Sequence, residues 1–187
     1  MSQAEFPRIE TNRLILRAFT LSDAPGVQRM AGDEDVARNT LAMPFPYLEG
    51  MADTWIATHR QEFDERKSVI LAITLRENNI LAGAVGLGLQ LPYSYAELGY
   101  WIGREFWGKG YCTEAVRAVI DFGFYQLKLH KIFASHFSNN PASGKVMMKA
   151  GMKYEATLKS HMLHWGEHKD LVYYGIWRKE DGIVTQA

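Results

Sequence analysis

A glycine-rich turn between an aromatic strand and an amphipathic helix constrains the fold of this chain more than any other feature. The turn runs from Gly103 to Gly110 and contains the cationic residues Arg104 and Lys109. Glycine has no Cβ, so the backbone can approach a ligand closely, and the first N–H groups of the helix have no intrahelical acceptor. A helix N-terminus with positive charge beside it favours phosphate groups. We therefore interpret the stretch as a candidate pyrophosphate-binding turn, with an ordinary tight turn as the alternative.

Composition limits the classes of function. The length of 187 residues, 47% of them hydrophobic, predicts a single domain over residues 1–187 with its core at about 8–180. Lys plus Arg and Asp plus Glu number 21 each, which argues against a nucleic-acid-binding protein held by bulk charge. The sequence has one cysteine, and it shows neither the apolar core of a signal peptide nor an apolar run near ~18 residues. These features are typical of a cytoplasmic protein without a membrane segment.

Hydrophobic periodicity predicts seven strands and four helices. The strands are expected at 13–19, 68–75, 80–91, 95–103, 131–138, 153–165 and 170–178. The first helix is expected to be capped by Thr20 or Ser22 and to end near Gly32. The other three helices are expected at 49–66, 111–127 and 141–150. Because strands precede the alternation of strands and helices, a mixed sheet with helices on both faces follows. Four small residues share one face of the strand at 80–91, which suggests that something packs closely there: Ala82, Ala84, Gly86 and Gly88.

Several short motifs occur in an order that resembles one known superfamily. They are Ala-Glu-Leu-Gly-Tyr-Trp-Ile (96–102), Phe-Trp-Gly-Lys-Gly-Tyr (106–111), Thr-Glu-Ala (113–115), Asn-Pro-Ala-Ser (140–143) and Ala-Gly-Met (150–152). Together they resemble the GNAT superfamily of acetyl-CoA-dependent N-acetyltransferases, and within it the RimJ/RimL type. The resemblance implies an α/β (α+β) GNAT fold whose central sheet is mixed, mostly antiparallel, of about seven strands, and splayed at the cofactor site. It also implies acetyl-CoA as cosubstrate and a possible homodimer.

The resemblance assigns the cofactor-binding residues. Backbone N–H groups from Phe106 to Tyr111 match those that bind the CoA pyrophosphate, and the preceding strand would open beside the pantetheine. Asn140 and Ser143 match a pair that faces the cofactor arm. The full predicted set is Tyr100, Trp101, Ile102, Gly103, Arg104, Phe106, Trp107, Gly108, Lys109, Gly110, Tyr111, Asn140 and Ser143. The chain departs from the superfamily pattern at Glu105, where Gln or Arg is usual, and this makes the predicted site less cationic.

Two residues are candidate catalytic groups. Glu97 lies among apolar and aromatic strand neighbours, so partial burial should raise its pKa towards the range of a general base. A solvated glutamate at a strand end is the alternative, with the amine deprotonated through water. Many GNAT enzymes protonate the leaving thiolate with a tyrosine at the position of Met147, so Ser143 is the remaining candidate acid. Simple cofactor contact or helix capping is the other interpretation of Ser143.

The acceptor amine should enter between the first two predicted helices. Pro44, Tyr47 and Glu49 are the predicted substrate-binding residues, although a plain surface loop fits the same segment. The acidic run 33–35 is interpreted as a solvated turn. No metal site is predicted, because the histidines of the last strands lack an accompanying cysteine or carboxylate framework.

These observations predict an N-acetyltransferase that acts by direct transfer in a ternary complex with acetyl-CoA. The acceptor is predicted to be the N-terminal amine of a protein or peptide. A small-molecule amine, such as a polyamine, an amino compound or a drug, is the first alternative. A non-catalytic acyl-CoA-binding sensor is an alternative of another class, supported only by Met147 at the position of the usual tyrosine. Neither a nucleic acid nor a membrane is predicted as a partner.

Overall fold

One eight-stranded sheet runs through the molecule. The computed structural model describes residues 5–178, so both ends of the predicted domain, 1–4 and 179–187, lie outside the described residues. The strands are β1 (Ile9–Glu10), β2 (Leu14–Arg17), β3 (Ser68–Leu75), β4 (Leu81–Gln90), β5 (Tyr95–Ile102), β6 (Lys131–Phe137), β7 (Lys153–His164) and β8 (Glu167–Trp177). Their order is β1-β2-β3-β4-β5-β6-β8-β7, and every pair is antiparallel except β5–β6. The predicted mixed, mostly antiparallel sheet is confirmed. It has one strand more than expected, because β1 is too short to show an alternation.

The described part of the chain contains five α-helices: α1 (Ala24–Ala31), α2 (Glu34–Arg38), α3 (Met51–Asp64), α4 (Tyr111–Tyr125) and α5 (Pro141–Lys149). The interpretation of residues 33–35 as a solvated turn was wrong. Asp33 caps α2 by accepting a hydrogen bond from the Asp35 N–H at 2.9 Å, and Val36 and Ala37 bury the inner face of this helix.

The two faces of β4 pack against different partners. Val85, Leu87 and Leu89 belong to the core cluster that also contains the buried residues of α4, such as Val116 and Ile120. The opposite face carries the small residues that the sequence singled out, and three of them line an open cleft beside α3: Ala84, Gly86 and Gly88. The small side chains on this face therefore leave room for the cleft. Helices cover both sides of the sheet.

The sheet divides between β5 and β6. These parallel strands pair only at Tyr95–Lys131, Ala96–Ile132 and Glu97–Phe133. Beyond Glu97, β5 continues to Ile102 along β4, whereas β6 continues along β8. The predicted splay is thus confirmed, and it begins immediately after Glu97.

Candidate active site

The glycine turn leaves the backbone amides at the start of α4 accessible. Gly108 and Gly110 have φ values of +75° and +79°, a left-handed conformation that residues with a Cβ rarely adopt. A Cβ built on Gly108 would meet no atom within 4 Å, so this side of the turn is open. The first hydrogen bond of α4 runs from the Glu114 N–H to Gly110 O at 3.1 Å. The preceding N–H groups of the helix end therefore have no intrahelical acceptor.

A carboxylate inside the first turn of α4 fixes this arrangement to the N-terminal strands. Glu114 accepts hydrogen bonds from the Thr11 hydroxyl at 2.7 Å and from the Arg13 backbone N–H at 2.8 Å. The Arg13 guanidinium donates both to Glu114 at 2.8 Å and to Lys109 O at 2.9 Å. Arg13 consequently connects the helix start with the carbonyl between the two left-handed glycines.

Glu114→Gln should lower the free energy of unfolding by about 1–2 kcal/mol at pH 7, because it removes a charge-assisted hydrogen bond from Arg13. Burial opposes ionisation of Glu114, but the hydrogen bonds from Thr11 and Arg13 outweigh it and hold the pKa below its ordinary value. A lowered folded pKa gives stability above the unfolded pKa that is lost as the pH falls through the folded pKa. Denaturant unfolding at pH 7 and pH 3 should therefore show the difference only at the higher pH. Glu167→Gln removes an exposed pairing with Lys169, so its free energy of unfolding should stay close to that of the wild type. An equal effect of both variants would contradict the assignment.

Two charged residues of the turn, Arg104 and Glu105, form ion pairs with other elements. Arg104 forms an ion pair with Asp35 at 2.9 Å, and Glu105 forms one with Arg29 at 2.6 Å. The Arg29 pair offsets the acidic departure at Glu105 that the sequence showed. Arg104 reaches towards α2, so its predicted contact with the cofactor requires that it leave this pair.

The Trp107 indole N–H donates to Ile102 O at 2.8 Å and connects the turn to the end of β5.

A cleft of about 880 Å³ opens at the splay, on the small-residue face of β4. It brings together seven predicted site residues from three separate segments of the chain: Pro44, Tyr47, Glu49, Glu97, Tyr100, Trp101 and Ser143. The glycine turn and Asn140 are not among its lining residues. The sequence did not identify three further groups of its wall, namely Trp55 of α3, His136 of β6 and the polar pair Ser68 and Thr54.

The acceptor side of the cleft is a loop held from both ends. Tyr47 O accepts a hydrogen bond from the Gln28 side chain of α1 at 2.8 Å. Phe45 stacks on Trp165 at the β7–β8 turn, with ring centroids 5.0 Å apart. The Arg38 guanidinium lies 5.5 Å from the centre of the Trp165 ring. The exposed segment that carries Pro44 and Glu49 is therefore anchored to α1 and to the last hairpin.

Glu97 occupies the last position at which β5 pairs with β6; it lies opposite Phe133 of β6 and Gly88 of β4. Its side chain is reachable by water from the cleft, yet the cleft walls surround it closely enough that desolvation raises its pKa. The predicted direction of this shift is confirmed. A carboxylate at the mouth of the splay can accept a proton from an amine in the cleft, directly or through water.

Ser143 lies in the first turn of α5, across the splay from β5. Its N–H donates to Asn140 Oδ1 at 3.3 Å and to Asn140 O at 3.2 Å, so the predicted capping role of Asn140 is confirmed. The Ser143 Oγ lies 2.8 Å from the Tyr100 Oη of β5. Met147, one turn further along α5, is 1% exposed and packs in the core. A thioether has no proton to donate, so the usual tyrosine has no replacement at this position.

The residues present fit acetyl-CoA. Two left-handed glycines and the unpaired N–H groups of α4 suit a pyrophosphate, and the open space around Gly99 in the splay suits a narrow chain beside β5. The cleft then continues to Glu97 on the acceptor side. A family model described as an acetyltransferase (GNAT) domain matches residues 13–153.

The chain belongs to the GNAT acetyltransferase family.

Two relatives matched over most of their length, and one matched over part of it, support this assignment. The Bacillus subtilis N-acetyltransferase YoaA is 31% identical over 172 residues, which cover 91% of this chain and 97% of that protein. The crystal structure of a GNAT-family acetyltransferase from Bacillus anthracis matches with a TM-score of 0.82 at 28% identity, covering 91% of this chain and 98% of that one. The [ribosomal protein uS5]-alanine N-acetyltransferase of Escherichia coli is 33% identical over 75 residues, 40% of this chain and 39% of that protein.

This GNAT protein is an acetyl-CoA-dependent N-acetyltransferase, and its similarity to the uS5 enzyme agrees with the predicted RimJ/RimL-type subgroup. Within residues 5–178, no helix combines the length and apolarity needed to cross a bilayer. In the same part of the chain, His, Cys, Asp and Glu side chains form no group of three or more that could hold a metal ion.

Proposed function

We propose that the GNAT enzyme acetylates the N-terminal amine of a polypeptide, in a ternary complex with acetyl-CoA. The charge of the cleft carries this proposal. Among the described lining residues there are two carboxylates, Glu49 and Glu97, and neither a lysine nor an arginine. Such a cleft attracts an ammonium group and repels a carboxylate close to it. A free amino acid carries that carboxylate next to its amine, whereas the first residue of a polypeptide carries a neutral amide instead.

The form of the cleft supports the same acceptor. Its volume of about 880 Å³ lies at the upper end of sites for drug-sized ligands, and it is open to solvent on the acceptor side. Trp55, Trp101 and Met43 provide apolar walls for the side chain of a first residue. The uS5-alanine enzyme, to which the chain is similar over 75 residues, acts on a ribosomal protein by its name.

We assign each proposed step of the acetyl transfer to a chemical group of this chain. Acetyl-CoA, when bound, supplies the acetyl group as a thioester. We assign the removal of the acceptor proton to Glu97, whose raised pKa moves it towards the working range of a general base. We assign binding of the acetyl carbonyl oxygen to a backbone N–H of β5 beyond the point where its pairing with β6 ends. Ser143 is the proposed hydrogen-bond donor to the sulfur, and the glycine turn is the proposed pyrophosphate site.

A polyamine is the second candidate acceptor. Glu49 and Glu97 come from different elements but line one cleft, so two cationic nitrogens of one molecule could each face a carboxylate. The same charge that favours a peptide N-terminus over a free amino acid therefore also admits a polyamine. The sensor alternative requires acetyl-CoA binding without turnover.

A thiol-release assay with matched acceptors tests the proposal. We expect L-phenylalaninamide to give a kcat/KM at least about tenfold above that of L-phenylalanine, since one nearby like charge in a partly shielded site is worth about 1.4 kcal/mol. Short peptides with a free N-terminus should be acetylated, and mass spectrometry should place the acetyl group on the first residue. Equal rates for the amide and the free acid would contradict the charge argument. Turnover of spermidine alone would select the second candidate, and binding of acetyl-CoA without any turnover would support a sensor.

A further inference from the structure

A hydroxyl pair joins the two strands that separate at the cofactor site. Tyr100 lies on β5 and Ser143 follows β6 at the start of α5, so the contact between them spans the splay. The Tyr100 Oη lies 2.8 Å from the Ser143 Oγ and 3.0 Å from the Ser143 carbonyl oxygen. Both residues line the cleft. Neither distance was evident from the sequence, which placed Tyr100 beside the cofactor only through its backbone.

The number of protons in this pair limits its hydrogen bonds. Tyr100 has one hydroxyl proton, and the Ser143 carbonyl can only accept. When Tyr100 donates to the carbonyl, the Ser143 hydroxyl can donate to Tyr100 and its proton is used within the pair. When Tyr100 donates to the Ser143 Oγ instead, the Ser143 proton is free for another acceptor. The two arrangements differ only by rotation of two O–H bonds.

Other contacts keep the pair in place while its protons rotate. The Ser143 backbone is fixed by Asn140, and the Asn140 side-chain amide donates in turn to Asn39 O at 3.4 Å. Burial, followed by the electrostatic influence of Cys112, raises the pKa of Tyr100, so its hydroxyl stays protonated throughout the neutral range. Tyr100 is therefore a donor in either arrangement.

We propose that Tyr100 is a positioning residue that directs the Ser143 hydroxyl proton into the splay, towards the anionic sulfur that acetyl transfer leaves on CoA. An anion in the splay favours the second arrangement, because only there can Ser143 donate to it while its own oxygen still accepts from Tyr100. Tyr100 keeps its proton, and no covalent step is assigned to it. In this way β5 supplies the tyrosine hydroxyl that α5 lacks at Met147. The inference rests on the proposed contact of Ser143 with the sulfur and is independent of which amine is acetylated.

Binding of CoA and of desulfo-CoA, which lacks the sulfur, tests the proposal without turnover. The thiol of CoA is neutral at pH 6.5, and a much larger fraction of it is ionised at pH 9. For the wild-type enzyme, calorimetry should show that the preference for CoA over desulfo-CoA is about tenfold larger at pH 9, as expected for one hydrogen bond to a charged group. Tyr100→Phe and Ser143→Ala should each remove most of this increase, and the double variant should remove no more.

The matched control is Tyr154→Phe. It removes a tyrosine hydroxyl that contacts Thr157 at 3.1 Å on the exposed strand β7, and it should leave the pH-dependent preference unchanged. Weaker binding of desulfo-CoA by Tyr100→Phe would show a merely structural role. An unchanged preference in Tyr100→Phe, or none in the wild type, would overturn the proposal. If the binding results hold but no tested amine is acetylated, the proposed acceptor fails and the role of Tyr100 stands.

Discussion

Gly108→Val is expected to weaken acetyl-CoA binding by roughly a hundredfold or more, since two or three charge-assisted hydrogen bonds to phosphate would be lost. Gly108 has a φ of +75°, which a β-branched residue strongly disfavours, so the turn must change its path. The space in front of Gly108 is open in the structure and is the space that the proposed pyrophosphate would fill. Calorimetric titration with CoA measures the loss directly.

Gly166→Val provides the matched control for this variant. Gly166 has a φ of +79° at the tip of the β7–β8 hairpin, and a Cβ there also meets no atom within 4 Å. Both substitutions therefore impose the same kind of backbone strain, and their effects on thermal stability should be similar. Only Gly108→Val should lose CoA binding. Normal affinity in Gly108→Val, or an equal loss in both variants, would show that the pyrophosphate is not bound at this turn.

Glu97→Gln should lower kcat/KM by about a hundredfold at neutral pH, a typical contribution of a general base. The wild-type rate should rise with pH through the raised pKa of Glu97, and the variant should lack this rise. The difference should narrow as the pH approaches the pKa of the acceptor amine, where no base is needed. Glu49→Gln is the control in the same cleft: it should raise KM for the acceptor and leave the form of the pH profile unchanged. If Glu97→Gln had the wild-type pH profile, Glu97 would have no part in proton transfer.

The same substitution should not destabilise the fold. Because the folded-state pKa of Glu97 is raised, the carboxyl favours folding most when protonated, and that contribution is lost as the pH rises through the folded pKa. At neutral pH the neutral glutamine should therefore be at least as stable as the ionised glutamate. A clear fall in the melting temperature of Glu97→Gln at pH 7 would attribute its loss of activity to structure instead.

Local patterns made much of the fold predictable. The alternation in β5, the glycines of the turn and the helical spacing in α4 each act within a few residues, so the observed bounds, Tyr95–Ile102 and Tyr111–Tyr125, follow the expected ones closely. Helix α2 was missed because five residues are too few for a periodic pattern. It forms because Asp33 caps it and because Val36 and Ala37 find a place in the core. Those tertiary contacts leave no local signal.

The family motifs predicted part of the candidate site, but not the contacts that depend on the tertiary fold. Glu97 and Ser143 of the motifs line one cleft together with Pro44, Tyr47 and Glu49, which lie outside the motifs, and the roles of all five stay predictions. Trp55 joins the wall through the packing of α3 on β3, and its ring contacts Phe19 and His59. The Tyr100–Ser143 contact joins residues 43 positions apart, so it depends on the full path of the chain.

The charge of the cleft should also favour release of the product. An amine enters as an ammonium ion and leaves as a neutral amide, so acetylation removes the charge that Glu49 and Glu97 attract. The product then has weaker electrostatic binding than the substrate that replaces it. Product inhibition by the acetylated acceptor should consequently be slight, and the release of the modified chain needs no separate opening of the fold. Under the proposed roles of Glu49 and Glu97, the same pair of carboxylates both selects the acceptor and favours release of the product.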